Sequence, residues 1–241
     1  MKRFLSILDL IYPCSCPVCG EVLPYGRKGL CGGCEGKLSY VRQPACMGCG
    51  KELDAGDRWS APEYCPDCAR LNRSFSGGIA LLNYNDAART LMWQFKYQNR
   101  REYAGFLAEE MAKRHGRQIL RMGGRSLVPV PIHKKRRRER GYNQAELLAG
   151  ELGKRLRIPV RKDLIIRTEN TRAQKKLGFA ERQKNEKKAF AAVKRGEDLG
   201  TVFLVDDIYT TGATAQACTE ALLEAGAEKV FLLSMAIGRV R

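Results

Sequence analysis

The sequence predicts an α/β protein in two parts: a small tandem metal-ribbon module, then a domain built on a parallel β-sheet. Three observations predict it. Nine of the ten cysteines fall before residue 70, and strand-like apolar runs alternate with helical patterns from about residue 75. One of those runs ends in two carboxylates and a hydroxyl-rich turn that opens a helix. The change in composition divides the chain into residues 1–75 and 76–241.

The 241 residues suit a small module joined to one medium domain, and 44% hydrophobic residues exclude wholesale disorder. No apolar run approaches the ~18–20 residues that cross a bilayer. The opening MKRFLSILDL is interrupted by Asp9, and no small-residue cleavage site follows it. The expectation is a cytoplasmic protein. Its net charge of +17 calls for a polyanionic partner.

Eight cysteines make four C-x-x-C knuckles: Cys16/Cys19, Cys31/Cys34, Cys46/Cys49 and Cys65/Cys68. A two-residue knuckle puts two thiolates on one side of a turn, and two knuckles close a tetrahedral four-sulfur cage. Gly20 and Gly50 follow two of the knuckles, where such a turn needs them. The alternative, a disulfide framework, needs an oxidising compartment. The expectation is therefore two structural Zn²⁺ ions, with metal coordination replacing the core that this segment lacks. Cys14 is left over, and Cys218 sits in an alanine-rich helical pattern as a small core residue.

Beyond residue 75, residues 78–84 read as a strand and 86–98 as a helix with Leu91, Met92 and Phe95 on one face. Trp93, Phe95 and Tyr97 fit either a packed face or a base-stacking surface, with packing the commoner use. A helix over 103–117, a strand at 127–131 ending in a proline-fixed turn, and a helix over 143–156 follow. Then come a buried strand at 201–205, a helix over 214–225 and a final strand at 229–237. This alternation implies a parallel sheet covered by helices on both faces.

The chemistry concentrates in Val202-Phe203-Leu204-Val205-Asp206-Asp207-Ile208-Tyr209-Thr210-Thr211-Gly212-Ala213-Thr214. A buried strand delivers Asp206 and Asp207 to its C-terminal end, where open α/β sheets bind ligands. Thr210, Thr211, Gly212, Ala213 and Thr214 then open a helix whose N–H groups and dipole suit a phosphate. Two acids beside such a cradle match a ribose 5-phosphate, and Mg²⁺ would enter with a polyphosphate ligand. The segment closely resembles the signature of type I phosphoribosyltransferases that binds phosphoribosyl diphosphate (PRPP). In active enzymes of that fold a small residue usually stands where Tyr209 is, so the ring is expected to crowd the ligand.

Val128-Pro129-Val130-Pro131-Ile132-His133, Arg140-Gly141-Tyr142-Asn143-Gln144 and the knuckles ahead of a phosphoribosyltransferase-like domain extend the likeness over nearly all the chain. Together they resemble the ComF family. The resemblance implies a role in DNA uptake and competence, binding of single-stranded DNA and a ComFA-like helicase partner. It also implies that Asp206 and Asp207 hold the ribose, that residues 210–214 hold the 5′-phosphate, and that His133, Lys134, Lys135 and Arg136 take the pyrophosphate position.

Most of the charge lies near these motifs. Residues 134–188 hold 19 basic and 7 acidic residues. One cluster is Lys134, Lys135, Arg136, Arg137, Arg138 and Arg140; the other includes Lys175, Lys176, Arg182 and Lys184 in a stretch that reads as a flap. Either cluster fits a solvated face, pyrophosphate, or the backbone of a single strand, with Gln174, Asn143 and Tyr142 adding polar and stacking contacts and Gln144 beside them as a further nucleic-acid candidate. Three functions follow: a competence factor binding single-stranded DNA, an active PRPP-dependent transferase, or a PRPP or nucleotide sensor, the last including a GntX-like metabolic role. No general base or acceptor-binding segment is legible, and the charge exceeds what one diphosphate needs, which favours DNA.

Overall fold

In the computed structural model the described residues are 14–54, 62–168, 189–194 and 196–238. Four strands, β1 (Gly77–Asn83), β2 (Ser126–Pro129), β5 (Gly200–Tyr209) and β6 (Ala227–Ile237), form one sheet in the order β1-β6-β5-β2. Every pairing is parallel, with Val202 opposite Val230 and Val128 opposite Leu204. Val202, Phe203, Leu204 and Val205 are all fully buried. Burial on both faces is what a run of four apolar residues needs, and only an inner strand between two layers supplies it.

One layer holds α2 (Asp86–Tyr97), α3 (Tyr103–Arg121) and α5 (Gln144–Leu156), packed against Leu81, Phe203, Val205, Leu233 and Met235. The other holds α6 (Ala213–Ala225) over Ala80, Val202, Leu204 and Leu232. Here also lies a hairpin absent from the sequence reading, β3 (Ile165–Arg167) paired antiparallel with β4 (Phe190–Ala192). The flap expected over 168–188 lies, apart from Thr168, outside the described residues, and Gln174, Lys175, Lys176, Arg182 and Lys184 lie outside them too. The turn expected after Pro131 is instead a short helix, α4 (Lys134–Arg140). His133 starts it by accepting the Lys135 N–H at Nδ1 (3.1 Å), and Gly141 stops it at φ 76°.

The cysteine-rich segment completes both layers. Cys16, Cys31 and Cys34 belong to the first core, and Cys46, Cys49 and Cys65 to the second, beside the short helix α1 (Pro66–Arg70). Between them the chain crosses the edge of β1: Val41 donates its N–H to the Leu81 carbonyl (3.0 Å), and the Asn83 N–H donates to Ser39 (2.7 Å). The crossing adds a short antiparallel segment to the sheet edge, with Tyr40 bridged to Leu82. Beyond it Gly50 rests on the β1 backbone at φ 77°; a Cβ there would lie 2.7 Å from the Ala80 nitrogen. At the far edge Val160 bridges Leu127. No helix among the described residues is long and apolar enough to cross a membrane.

One polar junction ties the first ribbon to its layer. The buried Tyr103 hydroxyl lies 3.0 Å from Gln94 Oε1, 3.3 Å from the Cys16 carbonyl and 3.2 Å from Ser15 Oγ. Tyr103→Phe keeps the ring but takes this donor from the buried Gln94 Oε1, so it should lower unfolding free energy by about 1–3 kcal/mol. Urea denaturation of the metal-loaded protein measures this, and an unchanged midpoint would show that the junction is dispensable.

Candidate functional site

The four knuckles pair as their spacing implies. Cys16, Cys19, Cys31 and Cys34 form one group and Cys46, Cys49, Cys65 and Cys68 another, each with its sulfurs within 4.8 Å of one another. The Cys19 and Cys31 sulfurs are 3.6 Å apart, and those of Cys49 and Cys65 are 3.7 Å apart. Zinc with Zn–S bonds of about 2.3 Å in a tetrahedron sets sulfurs about 3.8 Å apart, so both groups fit the metal. All the described cysteines are unbridged. The two knuckle turns repeat each other: Gly20 donates its N–H to the Cys16 carbonyl and Gly50 to that of Cys46, both at 2.8 Å. In the second group the Cys49 and Cys68 sulfurs hold the Cys46 thiol far below its usual range, and the Cys65 N–H donates to its sulfur (3.2 Å). Cys14 stands outside both groups, and Cys218 is core.

The second site lies at the C-terminal end of β5. Asp206 is nearly buried, and its Oδ1 accepts the Asp207 N–H at 2.9 Å. Asp207 Oδ2 pairs with Lys96 Nζ, in the last turn of α2, at 2.9 Å. Thr210 and Thr211 are exposed, and Gly212 takes the left-handed conformation (φ 78°) that turns the chain into α6. A Cβ at Gly212 would lie 2.3 Å from the Tyr209 hydroxyl, so the loop has room only for glycine. Ala213 and Thr214 follow, half-buried at the start of the helix.

Tyr209 corrects the expectation drawn from its size. Its ring is buried under Gly212 and meets Phe75 edge-on, 6.4 Å between centroids, in the core of the second ribbon. Burial pushes its phenol far above the ordinary range. The ring supports the loop from below. From the same ribbon side, Arg73 Nη2 donates to the Thr211 carbonyl at 2.6 Å.

The basic cluster separates into two kinds of residue. Lys134, Lys135, Arg137 and Arg138 are exposed on α4, whereas Arg136 and Arg140 are half-buried. Arg137 grips Glu146 with both terminal nitrogens, at 2.8 and 3.1 Å. Because β2 and β5 are parallel, α4 leaves the sheet at the same end as the carboxylate pair; the Val130 N–H donates to the Val205 carbonyl (2.9 Å). Asn143 and Gln144 are corrections, being 2% and 1% exposed and turned inward. Asn143 caps α5 through the Ala145 N–H and donates to the Val130 carbonyl, both at 3.0 Å. Gln144 Oε1 accepts from Arg140 at 3.1 Å. Tyr142 is buried as well, its hydroxyl donating to the Phe95 carbonyl. None of the three is placed to touch a nucleic acid.

The double zinc ribbon domain family matches residues 7–69. The chain is 31% identical to competence protein F of Haemophilus influenzae, over 92% of this chain and 96% of that one. The chain belongs to the ComF family. It is 28% identical to the competence protein ComFC of Bacillus subtilis, over 82% of this chain and 79% of the relative. It is also 28% identical to the DNA utilization protein YhgH of Escherichia coli K12, over 92% and 96%. Among solved structures it is similar to an adenine phosphoribosyltransferase from Leishmania tarentolae, with a TM-score of 0.36 and 13% identity over 58% of this chain and 73% of that one.

Sequence reasoning missed Lys96 and Arg73, which meet the β5–α6 turn of this ComF-family protein. Lys96 sits at an ordinary position on an amphipathic helix and Arg73 in a linker, and neither type nor spacing marks them.

The ribbon assignment gives a stoichiometry. Metal analysis of purified protein should find two zinc ions per chain, and Cys49→Ser should leave one. Structural sites contribute on the order of 10–16 kcal/mol, as much as a domain's whole stability, so this variant should also melt far below the parent. A parent value under one zinc per chain would end the assignment.

Proposed function

We propose that the protein handles single-stranded DNA during DNA uptake or utilisation, with α4 contacting strand phosphates. The observation that carries this reading is the exposed basic helix at the ligand-binding end of the sheet, with Lys134, Lys135 and Arg138 directed to solvent. Membership of a family whose relatives are named for competence and DNA utilisation supports it. So does the net charge of +17. The reading includes a cytoplasmic location, in keeping with eight cysteines grouped as metal ligands, and a helicase-like ComFA partner.

In the same reading the β5–α6 turn holds a phosphoribosyl diphosphate. Asp206 and Asp207 accept from the ribose hydroxyls, and the N–H groups at the start of α6 face the 5′-phosphate. His133, Lys134, Lys135 and Arg136 flank the diphosphate, and Mg²⁺ enters with it. Burial of the Tyr209 ring beneath Gly212 favours this use, since it leaves the front of the loop clear. A second reading, PRPP-dependent transfer or sensing, rests on that turn alone. Transfer would proceed by electrostatic stabilisation of departing pyrophosphate.

Anisotropy of a labelled single-stranded oligonucleotide across a salt series tests the proposal. Replacing Lys134, Lys135, Arg136 and Arg138 with Gln should weaken binding and flatten the log–log slope by about 0.7 for each phosphate no longer neutralised. An unchanged slope would move the strand elsewhere. Calorimetry with Mg·PRPP tests the turn: Asp206→Asn with Asp207→Asn should abolish binding while both zincs are retained. Undiminished affinity in that variant would overturn the phosphoribosyl reading.

A further inference from the structure

Helix α2 leaves two large aromatic rings in water. Its inner face buries Ala88, Leu91, Met92 and Phe95, which satisfies the core. Trp93 and Tyr97, one turn apart on the outer face, remain 52% and 61% exposed. Their ring centroids are 6.4 Å apart at an interplanar angle of 44°. A single exposed aromatic is unremarkable, but two in contact form a continuous π surface.

The neighbours of this surface are cations. Arg140 holds its guanidinium carbon 5.1 Å from the Tyr97 centroid and donates from Nη2 to the Tyr97 hydroxyl at 3.3 Å. Arg140 closes α4, the short helix that also carries Lys134, Lys135 and Arg138. On α2 itself Lys96 reaches Asp207. An apolar protein partner or a lipid tail gains little from rings fenced by arginine. A chain of phosphates carrying flat, unpaired bases fits both chemistries at once.

We infer that Trp93 and Tyr97 form a base-stacking platform for single-stranded nucleic acid, with the Arg140 guanidinium as an adjoining plane. The inference rests on the nucleic-acid reading above and adds to it the surface that engages the bases. Stacking of this kind tolerates any sequence, because every base has a π face. Duplex bases are already stacked on one another, so the platform selects single strands.

The test compares a labelled oligothymidylate with an abasic oligonucleotide of equal length, by anisotropy at fixed salt. Native protein should bind the base-bearing strand at least about tenfold more tightly. Trp93→Ala with Tyr97→Ala should erase that preference while leaving affinity for the abasic strand, and Trp93→Phe with Tyr97→Phe should restore most of it. In a Trp59→Phe background Trp93 is the single tryptophan, and oligothymidylate should quench its emission. Equal binding of the two strands by native protein, or a preference that survives the double alanine variant, would overturn the platform and leave the DNA reading intact. Equal quenching by thymidine monophosphate at the same nucleotide concentration would assign the rings to a free nucleotide and overturn it too. Binding of neither strand would remove the DNA reading and the platform with it.

Discussion

The backbone pairing of residues 39–41 with the outer edge of β1 is the constraint on which the rest of the molecule depends. A sheet edge carries a row of unpaired N–H and C=O groups, and here Val41 and Ser39 satisfy them at Leu81 and Asn83. Because the crossing lies between the second and third knuckles, the two four-sulfur groups fall on opposite faces of the sheet. Each brings three buried cysteines to a core that its own segment is too short of apolar residues to build. The close approach of Gly50 to Ala80 then sets the height of the second ribbon over β1.

From that height the ribbon reaches the ligand end of β5. Phe75 meets the Tyr209 ring and Arg73 meets the Thr211 carbonyl, so the turn is held from beneath by residues that directly follow the last knuckle. From the opposite layer Lys96 holds Asp207, in a pair whose side chains are 18% and 15% exposed. Removing one partner of so sheltered a pair leaves the other charge uncompensated, a larger loss than the pair's net contribution. The turn thus depends on both layers, and through them on both ribbons.

What was legible in the chain was what depends on spacing or on local pattern. The C-x-x-C pairs define their own partners, and the apolar run before Asp206 reads as an inner strand because nothing else buries four such residues in a row. What was not legible depends on direction in space. The size of Tyr209 suggested obstruction, but its ring departs from the side of Phe203 and Val205, joins the layer of Val202 and Leu204, and lies under the loop where Gly212 lacks a Cβ. Asn143 and Gln144 looked like polar contacts beside a basic cluster, yet Asn143 spends its amide capping α5. The Trp93–Tyr97 pair differs from Phe95 only by its angle around α2. Lys96 meets Asp207 across a sequence separation that no local pattern encodes.

The strand order also governs how the molecule is made. β6 follows its sheet partners in the chain, yet it lies between β1 and β5 and pairs with both, Leu233 opposite Ile79 on one side and Val205 on the other. As the chain leaves the ribosome, the ribbons and β1 emerge before this inner neighbour, and β5 with β2 forms a separate half-sheet. The two halves join only when residues 227–237 arrive. Closing a sheet through its final segment is slow, because the pairings that reward it span most of the chain. Metal captured early by the knuckles would therefore hold a structured but still open N-terminal half during that interval, with one edge of β1 already occupied.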